Sequence, residues 1–317
     1  MKKMIDILFL VILIANYYNS YSQFTLSGEL RPRTEYRHGF KCVADSNQHH
    51  AIFTDQRSRI NLDYKTDGYK VKLVLQDIRV WGSQLQLNAT DGLTSIHEAW
   101  GQALFNDKCS LKFGRQEISY DDQRIFGAVG WAQQARSHDA VMFKYNKDGL
   151  SLDIAGAYNQ DVVGLIGTSA SQGTYKAFQY IWLHKELGEK LQTSILLLNN
   201  GKQVNYMDNL GNTSYHDNYT QTIGTHTEFN KEKLNIMFNG FYQMGDLNTM
   251  PARSLSAYLV GLDATYKLND RLSATGGFEI QSGNNQMDTS EAYTNIEHAF
   301  SPFYGTNHKF NGYMDYF

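Results

Sequence analysis

Two sets of charged residues in this chain have the types and spacing to do chemistry. The first is Glu29, Arg31, Arg33, Glu35 and Arg37, followed by Arg57, Arg59 and Asp63. A guanidinium is a planar fork that grips a carboxylate or phosphate through two parallel hydrogen bonds. Arginines repeated at every second position could therefore form a track for an anionic solute. The same residues could instead pair with carboxylates on a neighbouring strand. The two readings are compatible, because an arginine held by one carboxylate still presents further N–H donors.

The second set lies in Ser110–Ala140, SLKFGRQEISYDDQRIFGAVGWAQQARSHDA, the densest mixture of arginine, carboxylate and aromatic residues in the chain. Arg115 and Gln116 end one expected strand, Tyr120 to Arg124 begin a loop, and Arg136, Ser137, His138 and Asp139 open the next strand. The loop is expected to re-enter and narrow a pore. Leu111 and Phe113 alternate outward, which carries Arg115 outward too unless a bulge resets the register.

Other chemistries fit these residues poorly. Asp121 and Asp122 fall short of the about six to eight oxygens that calcium takes. His138 beside Asp139, with Ser119 and Ser137 nearby, lacks a motif that would place a nucleophile. His49 and His50, with His38 close by, have no further ligand in their tract for a transition metal. Asp288, Glu291, Glu297 and His298 read as a solvated acidic loop. The expectation is no catalytic residue, no metal and no cofactor.

The elements that position these residues repeat with a period of two. Phe24, Leu26, Leu30 and Pro32 share one face, opposite Thr25, Ser27, Glu29, Arg31 and Arg33. Ile60, Leu62 and Tyr64 oppose Arg57, Arg59, Asn61 and Asp63, and the later strands agree. About fourteen strands are expected, near 24–38, 53–66, 69–80, 95–106, 108–119, 137–146, 149–160, 175–187, 190–200, 218–230, 232–245, 253–268, 270–283 and 308–317. Short joins rich in Asn, Asp and Gly, such as 66–68, 106–108 and 146–149, alternate with long ones, such as 39–52, 81–94, 120–136, 161–174 and 201–217. Tight turns at one end and long loops at the other are the pattern of an outer-membrane barrel. Lysines gather at the short turns, where their stems can lie on an apolar wall. Arginine on a lipid-facing midplane position costs about 2–4 kcal/mol, so the arginine faces point inward.

Lys2 and Lys3, the apolar run Met4–Ala15 and the small residues Ser20 and Ser22 predict a cleaved signal peptide over 1–22. Residues 23–317 are then one barrel domain. The chain carries −3, and removal of Lys2, Lys3 and Asp6 leaves −4, which excludes the basic balance of a nucleic-acid binder. Cys42 and Cys109 fall at opposite ends of the expected barrel, too far apart for a disulfide. The fold expected is all-β, a transmembrane antiparallel up-and-down barrel in a bacterial outer membrane. Its partners are outer-membrane lipid and an anionic or polar solute such as a polysaccharide, with periplasmic export or uptake components.

The opening QFTLSGELRPRTEYRHGFK, then QRSRINLDYK, LQDIRVWG, HEAW and the block LKFGRQEISYDDQRIFGAVGWAQQARSHDA resemble the alginate-export family of outer-membrane proteins, in its Bacteroidetes-type branch. The resemblance covers the whole mature chain. It implies an eighteen-stranded barrel that passes an anionic polyuronate through a basic lumen. It also places Arg115, Gln116, Arg124, Arg136 and Asp139 in the family's characteristic block. Fourteen strands against eighteen implies a chain shortened by about four strands, with a closed fourteen-strand barrel as the alternative. The function expected is a porin for anionic or polar solutes, a polyuronate or oligosaccharide among them. The alternatives are an outer-membrane hydrolase, or a binding or adhesion barrel that works through its loops.

Overall fold

The computed structural model describes residues 23–39, 43–45, 47–165, 167–170, 174–207, 213–247, 253–284 and 296–305. The expected signal peptide, the expected strand 308–317 and Cys42 lie outside the described residues. Among the described residues thirteen long strands follow one another: β1 (Phe24–Arg37), β2 (Ala51–Lys65), β3 (Tyr69–Val80), β4 (Thr94–Leu104), β5 (Cys109–Gln116), β6 (His138–Lys147), β7 (Leu150–Tyr158), β8 (Ala177–Leu187), β9 (Leu191–Met207), β10 (Thr213–Lys231), β11 (Leu234–Leu247), β12 (Arg253–Asn269) and β13 (Leu272–Gln281). Each is hydrogen-bonded to its sequence neighbours in an antiparallel meander. A two-residue strand, β14 (Ile296–Glu297), pairs parallel with Ser254 and Leu255 of β12. Among the described residues β1 pairs only with β2, and no ladder joins it to β13.

The wall has its apolar side out. Leu30, Ile60, Phe113, Val141, Ile223 and Phe278 are exposed. Arg57, Gln76, Asp153, Ser194, Asn239 and Gln243 are buried on the other face. In water this arrangement would leave a large apolar surface uncovered. Against hydrocarbon it satisfies both faces of the wall, since only alternate residues meet lipid and neighbouring strands pair their backbone groups along the sheet.

Local chemistry explains the tight turns. Asp148 and Gly149 both have left-handed backbone, with φ of 49° and 71°, as a two-residue type I′ hairpin requires. At the β4–β5 turn the Asn106 side chain accepts from the backbone N–H of Lys108 and Cys109, both at 2.9 Å. Asn269 does the same for Arg271 and Leu272 at the β12–β13 turn.

Two expectations are corrected. Residues 201–217 are not a long loop: the β9–β10 ladder runs from Leu191↔Phe229 out to Met207↔Thr213. The segment is rich in Asn, Asp and Gly, which reads as a loop, yet backbone pairing can prolong a hairpin through it. Residues 284–307 are likewise not wholly a solvated loop, since 296–305 fold back over the interior side of β9, β11 and β12. There His298 Nδ1 lies 2.8 Å from the Ser256 carbonyl, and Gln243 exchanges two hydrogen bonds with the Ser301 backbone.

Candidate solute passage and its inward loop

The long β5–β6 connection, residues 117–137, crosses the interior instead of standing outside it. Its first half seats on β7 to β13. The Tyr120 hydroxyl donates to Asp153 at 2.6 Å and lies 2.8 Å from the Tyr180 hydroxyl. Asp121 accepts from Ser194 Oγ at 2.6 Å and from Trp182 Nε1 at 3.0 Å. Asp122 accepts from Asn239 at 2.7 Å. Arg124 forms an ion pair with Glu279 of β13 at 2.5 Å and lies 3.2 Å from Asp122. Burial raises the Asp121 carboxyl above its ordinary range, partly opposed by its bonds to Ser194 and Trp182 and by the charge of His226.

The second half returns across the lumen to β1, β2 and β3. Arg31 makes five hydrogen bonds to Gly130, Trp131, Ala132 and Gln133, the shortest 2.6 Å to the Gly130 carbonyl. Arg57 donates to Glu29 at 2.6 Å and to the carbonyls of Gly130, Ala132 and Gln133. Arg33 bridges Asp55 at 2.8 Å and the Trp131 carbonyl at 2.9 Å. The Gln133 side chain donates to Asp55 at 2.6 Å. A loop away from strand partners has unpaired carbonyls, and fixed guanidinium donors satisfy them.

The first arginine set is therefore a clamp as well as a charged wall. Arg31, Arg33 and Arg57 hold the loop. Arg59 donates twice to Gln76, whose own amide reaches the Gln134 carbonyl. Glu35 and Arg37 pair with each other at 2.6 Å, and Arg37 lies over the Phe53 ring at 4.7 Å.

The second set divides. Gln116 is fully buried and donates to the Ala140 carbonyl at 2.9 Å. Arg124 is locked to β13. Arg115 stands opposite Asp139 in the β5–β6 ladder and pairs with it at 2.9 Å. No register shift intervenes, so this pair keeps the parity of Phe113 and Val141, at the rim. Arg136 lies in the loop's return, with its guanidinium 3.3 Å from the Gly305 carbonyl.

Several residues that shape the interior carry no charge signal. Phe126, Phe178, Tyr180 and Tyr304 form an aromatic cluster in the interior, with Phe126 and Tyr180 ring centroids 4.8 Å apart. Leu196, Leu198, Leu255 and Leu259 pack into the same core. Residues 125–127 and 304 join through a parallel bridge, Phe126↔Tyr304. The interior thus has an arginine-rich side on β1 to β3 and an aromatic side on β7 to β12, with the loop between them. One sequence signal points to the aromatic side. In Ala177–Leu183, AFQYIWL, both faces of the strand are largely apolar, so its inner face needs a cover of its own.

The geometry does not assemble a hydrolytic relay on Ser137 and His138. His138 Nδ1 meets the Tyr175 hydroxyl at 3.2 Å. Ser194 lies between His184, at 2.9 Å, and Asp121. There the carboxylate accepts from the serine and does not orient the histidine, whereas a triad needs the acid on the histidine. Among the described residues no group of three or more His, Cys, Asp or Glu side chains is placed to hold a metal.

No protein-family model matches the sequence, and no curated protein matches it. Solved structures do resemble it. OmpF of Salmonella typhi, in complex with daunomycin, aligns at a TM-score of 0.51 and 12% identity, over 85% of this chain and 82% of that one. A loop L8 deletion mutant of OmpT, an outer membrane protein of Vibrio cholerae, aligns at 0.49 and 13%, over 82% of each chain. OccAB1 of Acinetobacter baumannii aligns at 0.40 and 10%, over 83% of this chain and 80% of that one. At such identity the likeness is one of fold. With its apolar face outward, this chain has the fold of a bacterial outer-membrane β-barrel, a structure for the outer membrane.

Proposed function

We propose that the protein is an outer-membrane channel for anionic or polar solutes, and that its β5–β6 loop sets the width of the passage. The observation that carries this reading is the clamp: Arg31, Arg33 and Arg57 grip the loop's carbonyls at Gly130–Gln133 from across the lumen. A loop held across a barrel by polar bonds narrows the lumen and keeps charged donors along its edge. The resemblance of Arg115–Asp139 and of the opening strands to the alginate-export family supports a polyuronate or other acidic oligosaccharide as the solute. Export or uptake components in the periplasm are its natural partners, and no hydrolytic step is part of this reading.

The test is conductance of the purified chain in a planar bilayer under a salt gradient. The reading expects discrete channels whose reversal potential favours anions. Absence of conductance would remove the channel reading. Equal anion and cation permeability in wild type and in Arg33→Ala, Arg57→Ala and Arg59→Ala would remove the arginines from selectivity.

A further inference from the structure

We propose that a cavity at the long-loop end of the barrel is an anion site, built for the carboxylate or phosphate group of a solute and centred on Arg136. The inference rests on the channel reading only in taking the ligand to be a solute of the passage.

The cavity has a volume of about 340 Å³ and lies between the start of β6, residues 159–161, 170, 174 and 175, and Tyr304. This is the size of a small-molecule site. Arg31 and Arg57 make five hydrogen bonds each. The Arg136 guanidinium makes a single one, 3.3 Å to the Gly305 carbonyl, and no ion pair among the described residues. Its guanidinium is half-buried beside the Tyr304 ring, 6.0 Å from the centroid. A guanidinium has five N–H donors, so most of those on Arg136 have no protein acceptor among the described residues.

The other charges on the wall are already engaged. Arg115 and Asp139 pair with each other at 2.9 Å, and Asp161 accepts from Ser169 at 3.2 Å. His138 adds a second, independent sign. It lines the cavity, is 4% exposed, and its Nε2 is buried without a hydrogen-bond partner among the described residues. A partly desolvated cation without a counter-ion is costly, and charge-assisted bonds to a planar anion relieve that cost. Asn159 and Ser137, also on the wall, offer polar groups to the body of the solute.

The site exists only because the two inward segments meet. Arg136 comes from the return of the β5–β6 loop, and Gly305 and Tyr304 come from the segment after β14. A ligand bound here would sit on the seam between them, at the mouth of the passage.

The experiment is isothermal titration of the full chain in detergent with three matched probes: glucuronate, glucose 6-phosphate and glucose. The expected result is binding of one or both anionic probes at least about tenfold tighter than glucose, about the step that one charge-assisted hydrogen bond supplies. The better anion identifies the group. Arg136→Gln should abolish that preference. Ser137→Glu, which supplies an internal carboxylate and leaves Arg136 in place, should abolish it as well, so the test survives a misfolded Arg136 variant. Arg271→Gln, at a short turn on the opposite end, should retain it. Equal binding of all three probes, or an anion preference that persists in both site variants, overturns the proposal. Conductance is read separately: a chain that conducts without binding either anion sinks the site alone, and one that binds without conducting sinks the channel reading alone.

Discussion

Arg124, in the middle of the inward loop, lies 2.5 Å from Glu279 of β13, and the two side chains are 2% and 1% exposed. The pair joins the central loop to β13. Removing one member of a buried ion pair leaves a charge without its counter-ion, which costs about 3–5 kcal/mol. Glu279→Gln should fall at or below the low end, since Asp122 remains 3.2 Å from Arg124. Denaturant unfolding in lipid vesicles measures the loss. The double variant Arg124→Leu, Glu279→Leu should be less destabilised than Glu279→Gln, and an additive loss would contradict the pairing.

The clamp makes a prediction opposite to that of a freely exposed arginine track. In Arg31→Ala, Arg57→Ala the carbonyls of Gly130–Gln133 lose most of their donors. The loop should then leave the lumen, with a larger and noisier single-channel conductance. Arginines serving solely as a track would instead give a smaller anion current through an unchanged opening. Bilayer recording of the double variant separates the two.

The aromatic seat of the loop should be the most sensitive part of the interior. Phe178 is 0% exposed and touches Phe126, Tyr175, Tyr180 and Tyr304. Phe178→Ala should cost about 3–5 kcal/mol. It should also make the 120–126 segment accessible to a protease that leaves it intact in wild type. An exposed aromatic such as Trp131, at 66%, should tolerate Ala with little effect on stability.

Acid should tighten the loop through Asp121. Its carboxyl is raised by burial in the folded state, so the folded form binds the proton more strongly than the unfolded one. The stabilisation is fully present below the ordinary carboxyl range and is lost as pH rises through the raised value. Wild type should therefore show its inward loop better seated, and its conductance smaller, as pH falls from neutrality toward that range. Asp121→Asn imitates the protonated group and should flatten this dependence. An unchanged pH profile in the variant would assign the effect elsewhere.

The strands, their inner and outer faces and the alternation of turns and loops were legible before any coordinate, because they are local properties. A period of two sets which residues share a face, and the cost of arginine in hydrocarbon sets which face looks inward. Leu111 and Phe113 pointed Arg115 outward, but a bulge could have reset the register, and only the ladder with β6 shows that none does. The β9–β10 extension escaped notice because its Asn, Asp and Gly residues read as a loop, while backbone pairing runs through them regardless.

What only the tertiary structure decided is how the interior is used. Arg31 meets Gln133 at a separation of 102 residues, and Asp122 meets Asn239 at 117. Nothing in either segment names its counterpart, since a guanidinium on an inner face serves a solute, a carboxylate or a loop carbonyl equally well. The sequence by itself determined a wall with charged residues on its inner side. The fold decided that Arg31, Arg33 and Arg57 hold the central loop, that Phe178 and Tyr180 seat it, and that Arg136 meets few acceptors among the described residues. Those outcomes depend on which groups the closing chain brings within hydrogen-bond reach.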